Sequence, residues 1–550
     1  MVIDFLDESA PADQRADICI VGAGAAGIAM AHALVGTPLR VCLVESGGYG
    51  GEERNQALYE GHSIGSPAFD PLNSRMRVFG GSCNLWGGGC MPLSAMDLGP
   101  RDWVPHSGWP LSPAELAPYY QRARAFCGLQ AHALDGDRFL TPPQRPPVPF
   151  AGTLVNQIFV RSPVLFGQAY RAQLERAANL TVLLHANLLE LEPAPDGASV
   201  RHARIGSLAG RRGTVRARHY VLACGGIENS RLLLLSDSLL PQGLGNRHDL
   251  VGRYFMDHPS GKLGTLHANA VERLARPYDR QLGKGTAPPF PEIALSEQTQ
   301  RAHRLLSGRV HPFAVEGPVP PGLRALRGLR AAMRPRPTDE NGDLEARLCA
   351  AMRSEAPPEA GPAQAGESLG KLALQVGMGA GDVVRAFGRK LADQPVVRTS
   401  HVELVGYFEQ APNPASRVCL GEERDALGQR KVRIDWRLTE LDRHTYRASA
   451  RLFGNELARA CGGRFEPEPW LAGDDMPARV RGTAHHLGTT RMADDPRQGV
   501  VDRHCRVHGV DNLHVAGSSV FPTGGWAFPT FTIVALSLRL ADRLQAMCVA

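Results

Sequence analysis

The sequence predicts an α/β protein built on a Rossmann-like unit, and two observations near the N-terminus lead to it. Asp17-Ile18-Cys19-Ile20-Val21 is a short apolar run of strand type, followed by Gly22-Ala23-Gly24-Ala25-Ala26-Gly27 and small apolar residues to Leu34. Leu39 to Val44 is a second apolar run, and it closes on Glu45. Strand, tight turn, helix and strand in that order make one βαβ unit with a parallel pair.

The three glycines have separate tasks. Gly22 makes the turn, Gly24 lets backbone approach a pyrophosphate, and Gly27 permits close packing of helix on strand. The helix start offers unpaired N–H groups and partial positive charge to phosphates. Glu45, at the end of the second strand, can accept hydrogen bonds from a ribose diol, and its charge disfavours a 2′-phosphate. The fingerprint alone does not choose between FAD and NAD.

Further along, residues 181–192 and 215–224 read as strands, and Gly225 to Leu235 reads as a turn leading into an apolar helix. From about 265 to 480 the chain changes character and becomes rich in Pro, Arg, Ala and Gly near 310–370. There Leu323, Leu326, Leu329 and Met333 recur among Arg324, Arg327, Arg330 and Arg334. Such a helix can touch a membrane or cover a site, but one short helix with an internal glycine binds membranes weakly, so a solvated surface helix is expected. Residues 354–367 read as a loop. Thr530 to Leu544 has helical periodicity, with Pro529 just before it, where a missing N–H costs nothing.

The 550 residues carry a net charge of +6 and are 43% hydrophobic, enough for more than one domain and a sizeable core. That charge is mild for the length, and no basic-aromatic interleaving marks a nucleic-acid partner. The eleven cysteines have no ligand-type spacing, so no metal is expected; buried free thiols in a reducing compartment are. No signal-type N-terminus and no apolar run long enough to span a bilayer is found, and a cytoplasmic protein is expected.

Four segments carry a resemblance. The first is Arg77-Val78-Phe79-Gly80-Gly81-Ser82-Cys83-Asn84-Leu85-Trp86-Gly87-Gly88; the second runs from Val221 through Ala223, Cys224 and Gly225 to Leu233. The third is Gly252-Arg253-Tyr254-Phe255-Met256-Asp257-His258-Pro259, and the fourth is the block from His485 to Leu540, which opens HHLGTTRM. Together they resemble the glucose–methanol–choline (GMC) oxidoreductases, with the look of the sugar-oxidising branch of pyranose oxidases and gluconate or fructose dehydrogenases. The middle matches mainly at Glu409-Gln410-Ala411-Pro412-Asn413-Pro414.

The resemblance implies an α+β whole: a discontinuous Rossmann-like FAD-binding domain from residues 1–264 and 481–550, and a substrate-binding domain at 265–480 with a mostly antiparallel sheet. It implies that FAD is held by Gly22, Ala23, Gly24, Ala26 and Gly27, with Glu45 and Ser46 at the strand end. Arg77, Gly80, Gly81, Ser82, Asn84, Leu85, Trp86 and Gly87 follow along the flavin, with Leu188, Ala223, Cys224 and Gly225 beside the nucleotide. Gly517, Ser518, Phe528, Pro529 and Thr530 complete the set. In pyranose oxidases a histidine of the first segment bonds covalently to the flavin. Alignment on Arg77 and Trp86 puts Leu85 there, so noncovalent FAD is expected.

The family implies FAD-dependent oxidation of a CH–OH group of a sugar or other alcohol to a carbonyl, with hydride to flavin N5 and His485 taking the proton. Imidazole suits that task near neutral pH. His486 is its neighbour in an extended segment, where side chains alternate sides, so packing is its expected role beside a lesser catalytic one. His258, His504 and His508 are expected to be ordinary hydrogen-bonded histidines. The family places Asn or His immediately before the final Pro-Thr; here Phe528 stands there. Phenylalanine neither donates nor accepts, so a contact worth about 1–3 kcal/mol is missing unless replaced. That departure keeps open a non-oxidising lyase or rearranging enzyme on the same FAD scaffold, an inactive relative, and an electron-transfer subunit. No C-x-x-C-H occurs, so a cytochrome or small subunit accepting the electrons would be a separate chain.

Overall fold

A computed structural model describes residues 1–9, 11–129, 152–269, 289–333, 368–392, 394–473 and 480–549, together with 134, 148, 150, 271, 274, 278, 344, 347 and 348. The apolar runs at Ile18–Val21 and Val41–Val44 form adjacent parallel strands, buried along their whole length. Helices cover both faces of such a sheet, which is why these strands read as continuous hydrophobic runs. The full parallel sheet has six strands, in the order Val2–Asp4, Leu180–Leu184, Val41–Val44, Ile18–Val21, His219–Leu222 and Leu513–Val515. The last pairing matters most for the site. It sets a strand from the C-terminal block beside the first half of the fold, with Val221 opposite His514. The fingerprint helix, Ala25–Ala33, and the C-terminal helix, Pro529–Val549, contribute to the same apolar core as this sheet.

The run expected as one strand over 181–192 is two. Leu180–Leu184 joins the parallel sheet, and Asn187–Pro193 joins a separate four-stranded sheet with Val200–Gly206, Arg212–Arg216 and Asp13–Arg15. The break is at His185, whose φ of 53° lies in the left-handed region. Likewise 215–224 divides between Arg212–Arg216 and His219–Leu222. The helix expected after Gly225 spans Gly225–Leu235.

The second large sheet has seven strands, all paired antiparallel, in the order Arg464–Pro467, Ser260–His267, Thr399–Phe408, Gly308–Glu316, Pro289–Leu295, Leu154–Arg161 and Gly89–Cys90. It takes strands from residues 89–161 as well as from 260–467, so strand pairing crosses the boundary expected at 264. Helix Glu440–Cys461 starts at a Thr439/Asp442 capping box and packs Tyr446 and Phe453 into the core shared with Leu404 and Phe408. The arginine-rich stretch forms helix Pro321–Ala332. Its Leu323 joins a small core with Ala386 and Val397 while Arg324 and Arg327 stay exposed. The loop expected at 354–367 and Arg334 lie outside the described residues. No helix among the described residues is long and apolar enough to cross a membrane.

Candidate active site

The βαβ turn opens into a cavity of about 700 Å³, within the ~300–1,000 Å³ of typical cofactor and ligand sites. Gly22 has φ +100°, and a Cβ there would sit 2.7 Å from the Ala223 carbonyl oxygen. A Cβ on Gly27 would fall 1.9 Å from the Gly22 oxygen, so only glycine lets the helix close on the turn. No side chain caps the helix at Gly24, which leaves its first N–H groups for a ligand. Glu45 is 5% exposed. Its Oε2 accepts from the Ala23 N–H at 2.8 Å, and its Oε1 from the Gly47 N–H at 2.8 Å and the Ser46 hydroxyl at 3.1 Å. These bonds fix the carboxylate at the cavity wall, and Oε2 can accept one more donor.

The first segment runs along the same wall. Gly80 (φ +102°) and Gly81 (φ +57°) start a single 3₁₀ turn, Gly81–Asn84, that lies against the Gly24 backbone. Gly81, Ser82, Leu85, Trp86 and Gly87 line the cavity, as do Gly22, Gly24, Ala26, Glu45, Ser46 and Arg77. Leu188, Ala223, Cys224 and Gly225 line it from the neighbouring strands, and Gly517, Ser518, Phe528, Pro529 and Thr530 from the C-terminal block. Four residues expected at the cofactor do not line it: Ala23, Gly27, Gly80 and Asn84. Ala23 bonds Glu45 through its N–H and accepts from the Gly80 N–H at 2.8 Å through its carbonyl. Asn84 donates to the Phe79 carbonyl at 2.9 Å and braces the turn from behind.

Sequence reasoning missed a buried ion network beneath this end. Arg75 and Arg77, both at the cavity, and Arg231 meet Glu228 at 3.0, 3.7 and 3.2 Å, and Arg231 also reaches Asp425 at 2.7 Å. Burial alone would raise the Glu228 carboxyl, but the three guanidinium groups hold it down at about 2. Arg77 keeps its buried Nε without a partner. A glycine-only turn, an uncapped helix start and spare guanidinium donors fit the diphosphate of FAD.

At the other end stands His485. Its Nδ1 lies 3.0 Å from His258 Nδ1 and 3.0 Å from Thr483 Oγ1, and its backbone N–H donates to Asp257 Oδ1 at 3.0 Å. Burial holds the His485 imidazole well below its ordinary value, with the neighbouring His258, His486 and Arg309 adding to the effect. Burial likewise takes His258 down to about 4 and raises Asp257 to about 6. His258 thus touches the expected proton acceptor, which sequence reasoning did not foresee. His486 also lines the cavity, but its ring packs at 5.1 Å from Phe69 and 6.1 Å from Phe255, with burial taking it to about 3.

Phe528 meets His485 edge-on at 5.9 Å and Phe159 at 4.7 Å. The antiparallel sheet completes the wall with Phe159 and Arg161, Phe290 and Glu292, and Arg309, His311 and Phe313. In each set the residues are two apart on one strand, so one face of the sheet presents them all. Arg309 Nη1 pairs with Glu292 at 2.7 Å, and His311 approaches the same carboxylate at 3.2 Å. The alternation at 309, 311 and 313 marks a shared face in the sequence, without showing that it faces this cavity.

One continuous cavity therefore joins a dinucleotide turn to a neutral buried imidazole brought from the far end of the chain. Residues 412–537 match the family described as GMC oxidoreductase, and residues 17–247 match the family described as FAD dependent oxidoreductase. The two matches and the relatives below support the GMC oxidoreductase family for this chain. It is an enzyme and a flavoprotein that uses FAD. Among its relatives, the 6‴-hydroxyparomomycin C oxidase of Streptomyces lividus is 24% identical, over 98% of this chain and 93% of that protein. The fructose dehydrogenase large subunit of Gluconobacter japonicus is 27% identical over 60% of this chain, which spans 47% of that subunit's length. Pyridoxine 4-oxidase from Mesorbium loti shares this fold with a TM-score of 0.55 at 19% identity, over 96% of this chain and 98% of that one.

Proposed function

We propose that the protein oxidises a CH–OH group of a sugar or other alcohol to a carbonyl, with His485 as the proton acceptor. The observation that carries this reading is that His485 and the dinucleotide turn line the same cavity. FAD, when bound, would supply the two-electron acceptor for the carbinol hydride. Burial keeps the His485 imidazole neutral, so its free ring nitrogen is ready for the hydroxyl proton. The Pro529 helix start lines the cavity and turns N–H groups and positive field toward it. Phe159, Phe290, Phe313 and Phe528 exclude water, and Glu292, Arg309 and His311 offer hydrogen bonds to further hydroxyls. One relative is named for fructose and another for a hydroxyparomomycin, which supports a hydroxyl-rich substrate.

Leu85 lines the cavity where a covalent histidine link would need an imidazole, which supports noncovalent FAD. Acid precipitation should release all of the flavin into the supernatant. We read residues 1–264 and 481–550 as the FAD-binding part, and 265–480 as the substrate-binding part. The cysteines among the described residues carry free thiols, which fits a cytoplasmic protein. Electrons leave to oxygen or to a separate acceptor, such as a small subunit. The test is anaerobic mixing of FAD-loaded protein with sugars, aliphatic alcohols, aryl alcohols and sterols. Bleaching of the visible flavin band by one class supports the reading. Turnover with an unchanged flavin would transfer the site to the lyase alternative.

A further inference from the structure

Phe528 removes a polar group from beside His485, and the structure shows what stands over its ring. Arg309, on the strand Gly308–Glu316, is 6% exposed. Its guanidinium carbon lies 3.9 Å from the Tyr407 ring centroid, 5.3 Å from that of Phe528 and 5.6 Å from that of Trp526. Aromatic faces attract a guanidinium and hold its plane. One Nη is fixed on Glu292, while Nε is buried and has no hydrogen-bond partner.

We propose that Arg309 supplies the hydrogen bond to the substrate oxygen that Phe528 cannot give, with Phe528 serving as the platform that seats the guanidinium beside His485. This rests on His485 being the proton acceptor.

Three observations converge on it. Arg309, His485 and Phe528 line the same cavity, so one ligand meets all three. The Arg309 charge bears on His485 and His258, both of which it helps to keep neutral. The donor set is also right: an arginine keeps its protons at any working pH, so it cannot compete with His485 as the base. The roles therefore divide. As the alcohol O–H bond breaks, its proton goes to His485. Negative charge grows on the oxygen, and a preorganised N–H donor in a water-poor site is strongest against such charge. Arg309 keeps all its protons, and Glu292 holds the fork in place. A second side-chain donor thus survives at the site, delivered by the sheet instead of by the C-terminal block.

The experiment uses full-length, FAD-loaded protein and the alcohol that reduces it fastest. Arg309→Met should slow the limiting rate of flavin reduction by about 10²-fold, the range for losing one such donor, with KM moved far less. Acetate, an anionic oxygen probe, is titrated against the flavin spectrum and should bind at least about tenfold more weakly, as loss of a charged hydrogen bond requires. Phe528→Asn placed in the Arg309→Met background should restore part of the rate. Arg309→Lys keeps the charge but not the planar fork, and should retain acetate binding while slowing reduction. It carries the test if Arg309→Met fails to fold. A wild-type limiting rate in Arg309→Met, or a loss confined to KM with acetate binding unchanged, would overturn the proposal. No recovery on adding Phe528→Asn would do the same. Normal reduction in His485→Ala would instead sink the proton-acceptor reading.

Discussion

His258 Nδ1 lies 3.0 Å from His485 Nδ1, with the two rings edge to face at 78°. One of these nitrogens must carry the shared proton and the other must accept it. The Thr483 hydroxyl lies 3.3 Å from Asp257 Oδ1, to which it donates, so its oxygen is left to accept. That oxygen faces His485 Nδ1 at 3.0 Å, which favours a proton on Nδ1 and leaves the other ring nitrogen as the base. His258→Leu should therefore keep FAD but slow anaerobic flavin reduction by about 10–10², short of the full general-base contribution. Nitrogen-15 NMR of labelled histidine should report a changed His485 tautomer in that variant. An unchanged tautomer with an unchanged rate would remove His258 from the account.

The pH dependence follows from the direction of the His485 shift. Its folded value lies well below the ordinary 6.5, so the base is neutral and competent at pH 7. The limiting rate of flavin reduction should be flat through the neutral range and fall on acidification, with a midpoint below 6.5. A midpoint above that value, seen in a pH series by stopped flow, would mean another group takes the proton.

Gly22→Ala tests the cofactor turn. The positive φ alone costs about 1–2 kcal/mol for an L-residue. The new Cβ would also press on the Ala223 carbonyl at 2.7 Å. FAD affinity, measured by fluorescence titration of apoprotein, should fall by about tenfold or more. Unchanged affinity would mean that this turn does not contact the diphosphate.

Glu228→Gln leaves Arg75, Arg77 and Arg231 without their shared anion. Breaking a buried ion network from one side costs about 3–5 kcal/mol, to be read from denaturant unfolding. The Glu228 carboxyl sits at about 2, depressed from 4.5. Its contribution is therefore complete above the ordinary carboxyl value and is lost as pH falls through about 2. The variant should lose stability at neutral pH and show a shallower acid dependence than the parent. Equal unfolding midpoints would contradict the role given to the network.

The parts of the site that were legible in the sequence are those whose chemistry is local. Gly22, Gly24, Gly27 and Glu45 act through one turn and one strand end, so spacing alone exposes them. His485 was legible through its surrounding motif. Arg309, Glu292 and His311 were not, because their meaning depends on strands more than a hundred residues from His485 being laid across the same cavity. The alternation at 309, 311 and 313 says only that these side chains share a face. Gly80 and Asn84 were placed at the cofactor because they lie in its segment, yet they act one layer behind it by shaping the turn. The long strand at 181–192 failed for a physical reason: His185 adopts a left-handed conformation and sends the chain from one sheet to another.

The most direct measurement compares FAD-loaded wild type and His485→Ala, mixed anaerobically with the alcohol that best bleaches the wild-type flavin. Both should show the same flavin spectrum before mixing, and the variant should bleach about 10²–10⁴ times more slowly. A variant that bleaches at the wild-type rate, or a wild type that turns over alcohol with its flavin still oxidised, would contradict the account.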